Sequence, residues 1–259
     1  QACLITEGAW LGKGRDVARG EKYERLHLSA AWEVEHHLLW PKYCKAAEEV
    51  EAHSRFVSMP LALMRNEVAT QATSGGGSTD EQRDWAVAVG CPLQDRINEK
   101  LLSHGTKPET VASVLANGIN ERFCSGLFGN GCYLAEDCGK CDQYATVDEG
   151  RGVHQELHDL LYTNCGLPHP GPVHYILLCR VVLGTVSYTL NGETDRASGA
   201  SVWANGGKRE LAPIANTTPP LPHHSLIADT GDRLIRYREV MVFHSERVYP
   251  AYLMAYRRV

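Results

Sequence analysis

The chain has 259 residues, 43% of them hydrophobic and 22% charged, and a formal net charge of −5 at pH 7. That length is enough to bury a sizeable core as one large domain or two small ones, and the composition is that of an ordinary soluble globular protein. The acidic balance argues against a nucleic-acid grip as the main business, and no apolar run approaches the roughly 18 residues a spanning helix needs, so neither direct DNA binding nor a membrane role is expected.

The opening residues, QACLITEGAW, show no basic-then-apolar leader pattern. Large apolar residues mixed with Glu and His over 30–40 (Trp32, Leu39, Trp40) predict a helix. Pro41 suits the first turn of a second helix with a stripe of Tyr43, Ala47 and Val50. A strand is expected over 55–63, and Ser74 to Ser78 (SGGGS) is a flexible linker by composition. Pro92 opens another short helix with Leu93, Ile97 and Leu101 on one face. Thr106-x-x-Glu109 has the form of a capping box, followed by a helix that buries Val111, Val114 and Leu115 and stops at Gly118. The apolar, β-branched stretch 173–190 predicts a buried strand and its continuation; 235–243 and 248–256 predict two more. The Gly- and Pro-rich stretch 205–224 reads as an ordered loop. Helices first and a mostly antiparallel sheet after them make the fold class α+β. The expected division is an N-terminal helical extension over 1–92, packed on or partly within a catalytic domain over 93–259. Nine cysteines, odd in number and scattered, predict reduced thiols and an intracellular setting, cytoplasmic or nuclear.

Three stretches carry chemistry. His104-Gly105 at the end of an apolar run lets backbone approach a planar amide, because glycine has no Cβ. The loop GLFGNGCYLAE, with Gly126, Gly129 and Gly131, leads into Tyr133, and Tyr144 follows; two tyrosines can sandwich a flat ring. Glu239 opens the apolar run Val240 to Phe243, where a carboxylate could meet a sugar hydroxyl. Taken singly, each has a plainer reading: a turn, two core aromatics, a strand-end carboxylate facing water.

Together, HGT, GxFGxGxYLAE, the Lys-x-x-x-Tyr ending (Lys140 to Tyr144), LLCRVVLG, PPLPHHSLI, YREVMVF and VYPAYL run in an order that resembles the poly(ADP-ribose) polymerase catalytic domains, the tankyrase branch above all. The resemblance covers about Leu93 to the C-terminus, with a fainter echo in VEHHLLWPKYC. It implies an ADP-ribosyltransferase fold, a mostly antiparallel split sheet with flanking helices, and NAD as substrate. It implies transfer of ADP-ribose to protein acceptors, the chain itself among the candidates, with elongation to poly(ADP-ribose) and release of nicotinamide. Transfer of a single unit, or a catalytically weak module that only binds NAD or ADP-ribose, are the alternatives.

By the same resemblance His104, Tyr133 and Glu239 are the catalytic triad. His104 would bind the adenosine-side ribose, with Thr106 next to it, and Gly105 the carboxamide. Tyr133 and Tyr144 would flank the nicotinamide, Glu239 would hold the nicotinamide ribose, and His223 and Ser225 would lie on the adenosine-phosphate side. Two features depart from the family. Cys141 stands where a serine usually bonds the carboxamide, and a thiol is a weaker partner. Tankyrases also carry a small zinc site before the long strand; here that stretch offers His154, His158, Cys165 and His169 without the family's Cys spacing. Cys138 and Cys141 form a C-x-x-C, but Cys141 falls on a pocket position. No metal is expected, and the chemistry requires none.

Overall fold

A computed structural model describes residues 4, 6, 11, 12, 23–55, 92–150 and 152–259. Two four-stranded sheets form its frame. The first has the order β1-β8-β4-β2, from Leu26–Glu33, Val248–Arg258, His174–Val182 and Glu99–Gly105, and is antiparallel throughout. The second has the order β3-β7-β6-β5, from Cys132–Leu134, Glu239–Val242, Ser225–Ala228 and Val186–Thr189; its β5–β6 pair alone is parallel. The helices are α1 (Leu39–Ser54), α2 (Pro108–Asn117), α3 (Cys138–Asp142) and α4 (Gln155–His158), the last running on into a π-turn over Asp159–Thr163. The fold is α+β.

β4 is buried along its whole length. Its alternate residues face two ways: Tyr175, Leu177 and Cys179 join the core between the sheets, with Leu253, Ala255, Val240 and Val242. Ile176 and Leu178 join a second core with Leu101, Met254 and Tyr256. The long β-branched stretch thus covers β4 and β5, which lie in different sheets.

The structure corrects the helix expected over 30–40. Leu26–Glu33 is a strand at the edge of the first sheet, paired with β8. A bulge between Leu28 and Ala30 moves the strand's apolar residues from one face to the other. Leu26 and Leu28 pack in the second core, Ala30 and Trp32 against the first. Long-range pairing with the far end of the chain outweighs the local helical look. The next helix, α1, buries Tyr43, Ala46, Ala47 and Val50, as the stripe implies.

Two further readings are corrected. The helix after Pro92 is a single 3₁₀ turn, Asp95–Ile97, closed by Asn98 at φ 52°; Leu101 belongs to β2. The capping box does not form. Lys107 holds the N-cap position without a side-chain bond, Pro108 takes the first helical position, and Thr106 bonds the Thr110 hydroxyl instead. Gly118 does close the helix, at φ 78°. The expected strand at 55–63, apart from Arg55, and the SGGGS linker lie outside the described residues. Among the described residues no helix is long and apolar enough to cross a membrane.

Candidate active site

Backbone hydrogen bonds join the two sheets at the edge strands β2 and β3. Ser103 on β2 exchanges two backbone hydrogen bonds with Ala135, just past β3, at 2.8 and 2.9 Å. A cleft of about 400 Å³ opens at this seam, and His104, Gly105, Tyr133, Cys141, Tyr144 and Glu239 all line it. They come from β2, β3, α3, the turn after α3, and β7.

His104 is fixed by an Nδ1–H bond to the Tyr133 carbonyl, 2.8 Å. Its Nε2 is then the acceptor nitrogen. Burial lowers the imidazole's pKa, so the ring is neutral at physiological pH. Tyr133 donates its hydroxyl proton to the Gly129 carbonyl at 2.8 Å and accepts from the Phe128 N–H at 2.9 Å. Burial pushes its phenol up. The glycine loop wraps the ring closely: a Cβ at Gly126 would lie 2.6 Å from the ring and its oxygen. Glycine at 126 is therefore a steric requirement of Tyr133's placement.

Gly105 is tighter still. A Cβ there would fall 2.1 Å from the Cys141 carbonyl oxygen, so β2 and α3 touch backbone to backbone. The Asp137 side chain caps α3, accepting from the Gly139 N–H at 2.7 Å. That short helix delivers Lys140 and Cys141 to the cleft. Burial pushes the Cys141 thiol up, with the Gly105 backbone pulling the other way, so it stays protonated at neutral pH. The Lys140 ammonium lies 2.6 Å from Glu239 Oε1, both side chains nearly buried, and 5.6 Å from the centre of the half-exposed Tyr144 ring.

Three residues of the sequence-derived set do not line the cleft. The Thr106 hydroxyl is bonded to Thr110. Ser225 is buried in β6 and donates to the Leu183 carbonyl at 2.8 Å. His223 bonds the Ala212 carbonyl through Nδ1 at 2.8 Å. Conversely, the pairing of Lys140 with Glu239, and a lining that includes Leu127, Phe128, Arg233 and Leu234, were not anticipated. The one available signal was Lys140 itself, at the head of the Lys-x-x-x-Tyr ending.

Comparison with known families now decides the relationship. The family model for the poly(ADP-ribose) polymerase catalytic domain matches residues 15–258. The chain belongs to that family. A poly [ADP-ribose] polymerase tankyrase of Caenorhabditis elegans is 25% identical over 192 residues, which cover 64% of this chain and 7% of that protein. The chain thus spans a small fraction of this relative's length.

Among the described residues, one cluster has the composition of a metal site. Ligand atoms of Asp148, His158 and His169 lie within 4.8 Å of one another. Cys165, weighed with these histidines on sequence, is exposed and donates to the Leu160 carbonyl instead. The hydrogen bonds favour a different use of the cluster. The Gly171 N–H donates to His169 Nδ1 at 3.2 Å, so the neutral ring carries its proton on Nε2 and offers no lone pair there. Asp148 Oδ2 accepts from His158 Nε2 at 2.8 Å, His169 Nε2 at 3.3 Å and the Tyr175 hydroxyl at 2.9 Å. Burial alone would raise the Asp148 pKa; the Gly150 N–H, His158 and Tyr175 outweigh it and hold the carboxyl below its usual range. Asp148 is thus the centre of a hydrogen-bonded cluster.

Proposed function

We propose that this domain is an NAD-dependent ADP-ribosyltransferase that moves ADP-ribose onto protein acceptors, releases nicotinamide, and elongates the product to poly(ADP-ribose). The observation that carries the reading is the convergence of His104, Tyr133 and Glu239 on one cleft from three strands of two sheets. Family membership supports it.

In this reading the nicotinamide ring lies between Tyr133 and Tyr144, with its carboxamide against the Gly105 backbone and the Cys141 thiol. His104 Nε2 accepts from the adenosine-side ribose hydroxyl. The bond from the sugar C1 to the pyridinium nitrogen breaks, and its electron pair leaves with nicotinamide. Positive charge grows on the sugar, where a preorganised carboxylate stabilises it. Glu239 supplies that charge; Lys140 holds one of its oxygens, leaving the other for the nicotinamide-ribose 2′-hydroxyl. The acceptor oxygen then bonds to C1, and its proton passes to Glu239. Thr106, His223 and Ser225 play no part in this assignment, because their side chains bond to protein.

Incubation with NAD labelled in its ADP-ribose half tests the reading. The expected result is nicotinamide release matched by label on protein, in products of increasing size. A single uniform increment would overturn elongation and leave transfer standing. No nicotinamide release would overturn the reading as a whole.

A further inference from the structure

Arg238 immediately precedes Glu239, the first residue of β7, and of the two only Glu239 lines the cleft. The Arg238 guanidinium is buried. It donates Nη2–H to Glu136 Oε1 at 2.6 Å and Nε–H to Glu136 Oε2, a bidentate fork. Its Nη1 lies 3.8 Å from Asp229 Oδ1, and Arg196 holds the other Asp229 oxygen at 3.0 Å.

The register explains the placement. β3 and β7 pair as Cys132↔Val242, Tyr133↔Met241 and Leu134↔Val240, and there the ladder ends. Ala135 turns away to bridge Ser103 in the other sheet. One more step in the same register would set Ala135 opposite Glu239, and the next sets Glu136 opposite Arg238. On the other side, β6 and β7 pair up to Ala228↔Glu239, and the next step sets Asp229 opposite Arg238. Arg238 therefore stands just past the pairing on both sides, and each neighbouring strand presents a carboxylate at that position. Glu239 is the last rung of the β6–β7 ladder before this ion cluster, at the place where β3 leaves for the other sheet.

Burying Arg238 and Asp229 beside a partly buried Glu136 is a poor way to gain stability, because desolvation offsets the attraction. What a bidentate guanidinium supplies is fixed geometry. We propose that Arg238 is a positioning residue for Glu239. Its fork to Glu136 carries the β3–β7 register past the split and so fixes where the Glu239 carboxylate meets Lys140 and the cleft. This rests on the reading of Glu239 as the catalytic carboxylate.

A crossed measurement tests it: NAD turnover by the purified domain and its Arg238→Met, Glu239→Gln and doubly substituted forms, each with a thermal melt. Arg238→Met is expected to lower kcat about 10-fold or more, the scale of a small misplacement, with KM for NAD within about threefold. In the Glu239→Gln background the same change is expected to alter the residual rate by less than about twofold, because the residue it positions has already lost its charge. An equal loss in both backgrounds would mean general structural damage and overturn the proposal. So would an unchanged kcat in Arg238→Met. If Arg238→Met does not fold, Glu136→Gln, which keeps the shape and removes the charge, carries the same comparison and the same thresholds. Wild-type turnover by Glu239→Gln would remove the reading of Glu239 and the proposal together, on a variant in which Arg238 is intact.

Discussion

Two buried carboxylates of this domain, Asp148 and Glu239, differ in how fully protein donors surround them. Asp148, between α3 and α4, has both oxygens occupied: Gly150 N–H on one, and His158, His169 and Tyr175 on the other. Glu239, at the start of β7, has one ion pair among the described residues, to Lys140, and faces the cleft. A carboxylate held by four protein donors fastens the structure around it. One with capacity left over, in a water-accessible cleft, can take up a ligand. Burial alone does not distinguish the two; the count of donors does.

Breaking each carboxylate should therefore show in different observables. Glu239→Gln keeps size and removes charge, and transfer is expected to fall by roughly 10²–10³-fold, the scale for one preorganised electrostatic stabiliser. NAD affinity should stay within a few-fold, because most ground-state contacts come from other residues; a rate within threefold of wild type would refute the assignment. Asp148→Asn confronts two histidine N–H groups with an amide and is expected to cost about 1.5–3 kcal/mol, the range for a hydrogen bond to a charged group. At this chain length that lowers Tm by roughly 3–12 °C. Metal analysis sharpens the same point: protein purified without chelator should hold no stoichiometric zinc, and one tightly held zinc lost together with Tm would make the cluster a metal site.

Acid separates a further buried group from both. His224 accepts from the Thr185 N–H through Nδ1, and burial, then the Arg247 and His53 charges, lower its pKa to about 3. The unfolded chain takes up this proton near pH 6.5, the folded one only near 3. Stability from this group is thus fully present above about pH 6.5 and falls as pH drops toward 3, by up to about 1.4 kcal/mol per pH unit. His224→Asn, which keeps an acceptor for Thr185, should flatten the urea midpoint over that interval. An unchanged slope would place the acid sensitivity elsewhere. The smallest expected effect is at Cys141. Replacing it by Ser should tighten nicotinamide by about 1 kcal/mol, the usual net worth of one hydrogen bond, read by calorimetry; unchanged affinity would remove Cys141 from the carboxamide subsite.

What could be read from the sequence was local. His104, Tyr133, Tyr144 and Glu239 each carry a short flanking pattern, and the apolar runs of β4, β7 and β8 are continuous along the chain. What escaped reading depends on partners far away. β1 looked helical because its pairing partner, β8, lies at the other end of the chain. Thr106 sits one position before the true N-cap, where Pro108 decides the start of α2. Lys140 and Glu239, Glu136 and Arg238, and Asp148 and His169 are pairs made only by tertiary folding. Nothing in the spacing of one member points to the other.

The most direct measurement is a crossed one, taking transfer rate and Tm on both Glu239→Gln and Asp148→Asn. The expected result is a rate lower by two to three orders of magnitude with Tm kept for the first, and a lowered Tm with the rate per folded molecule kept well below the transition for the second. A Glu239→Gln domain that transfers ADP-ribose at the wild-type rate would contradict it.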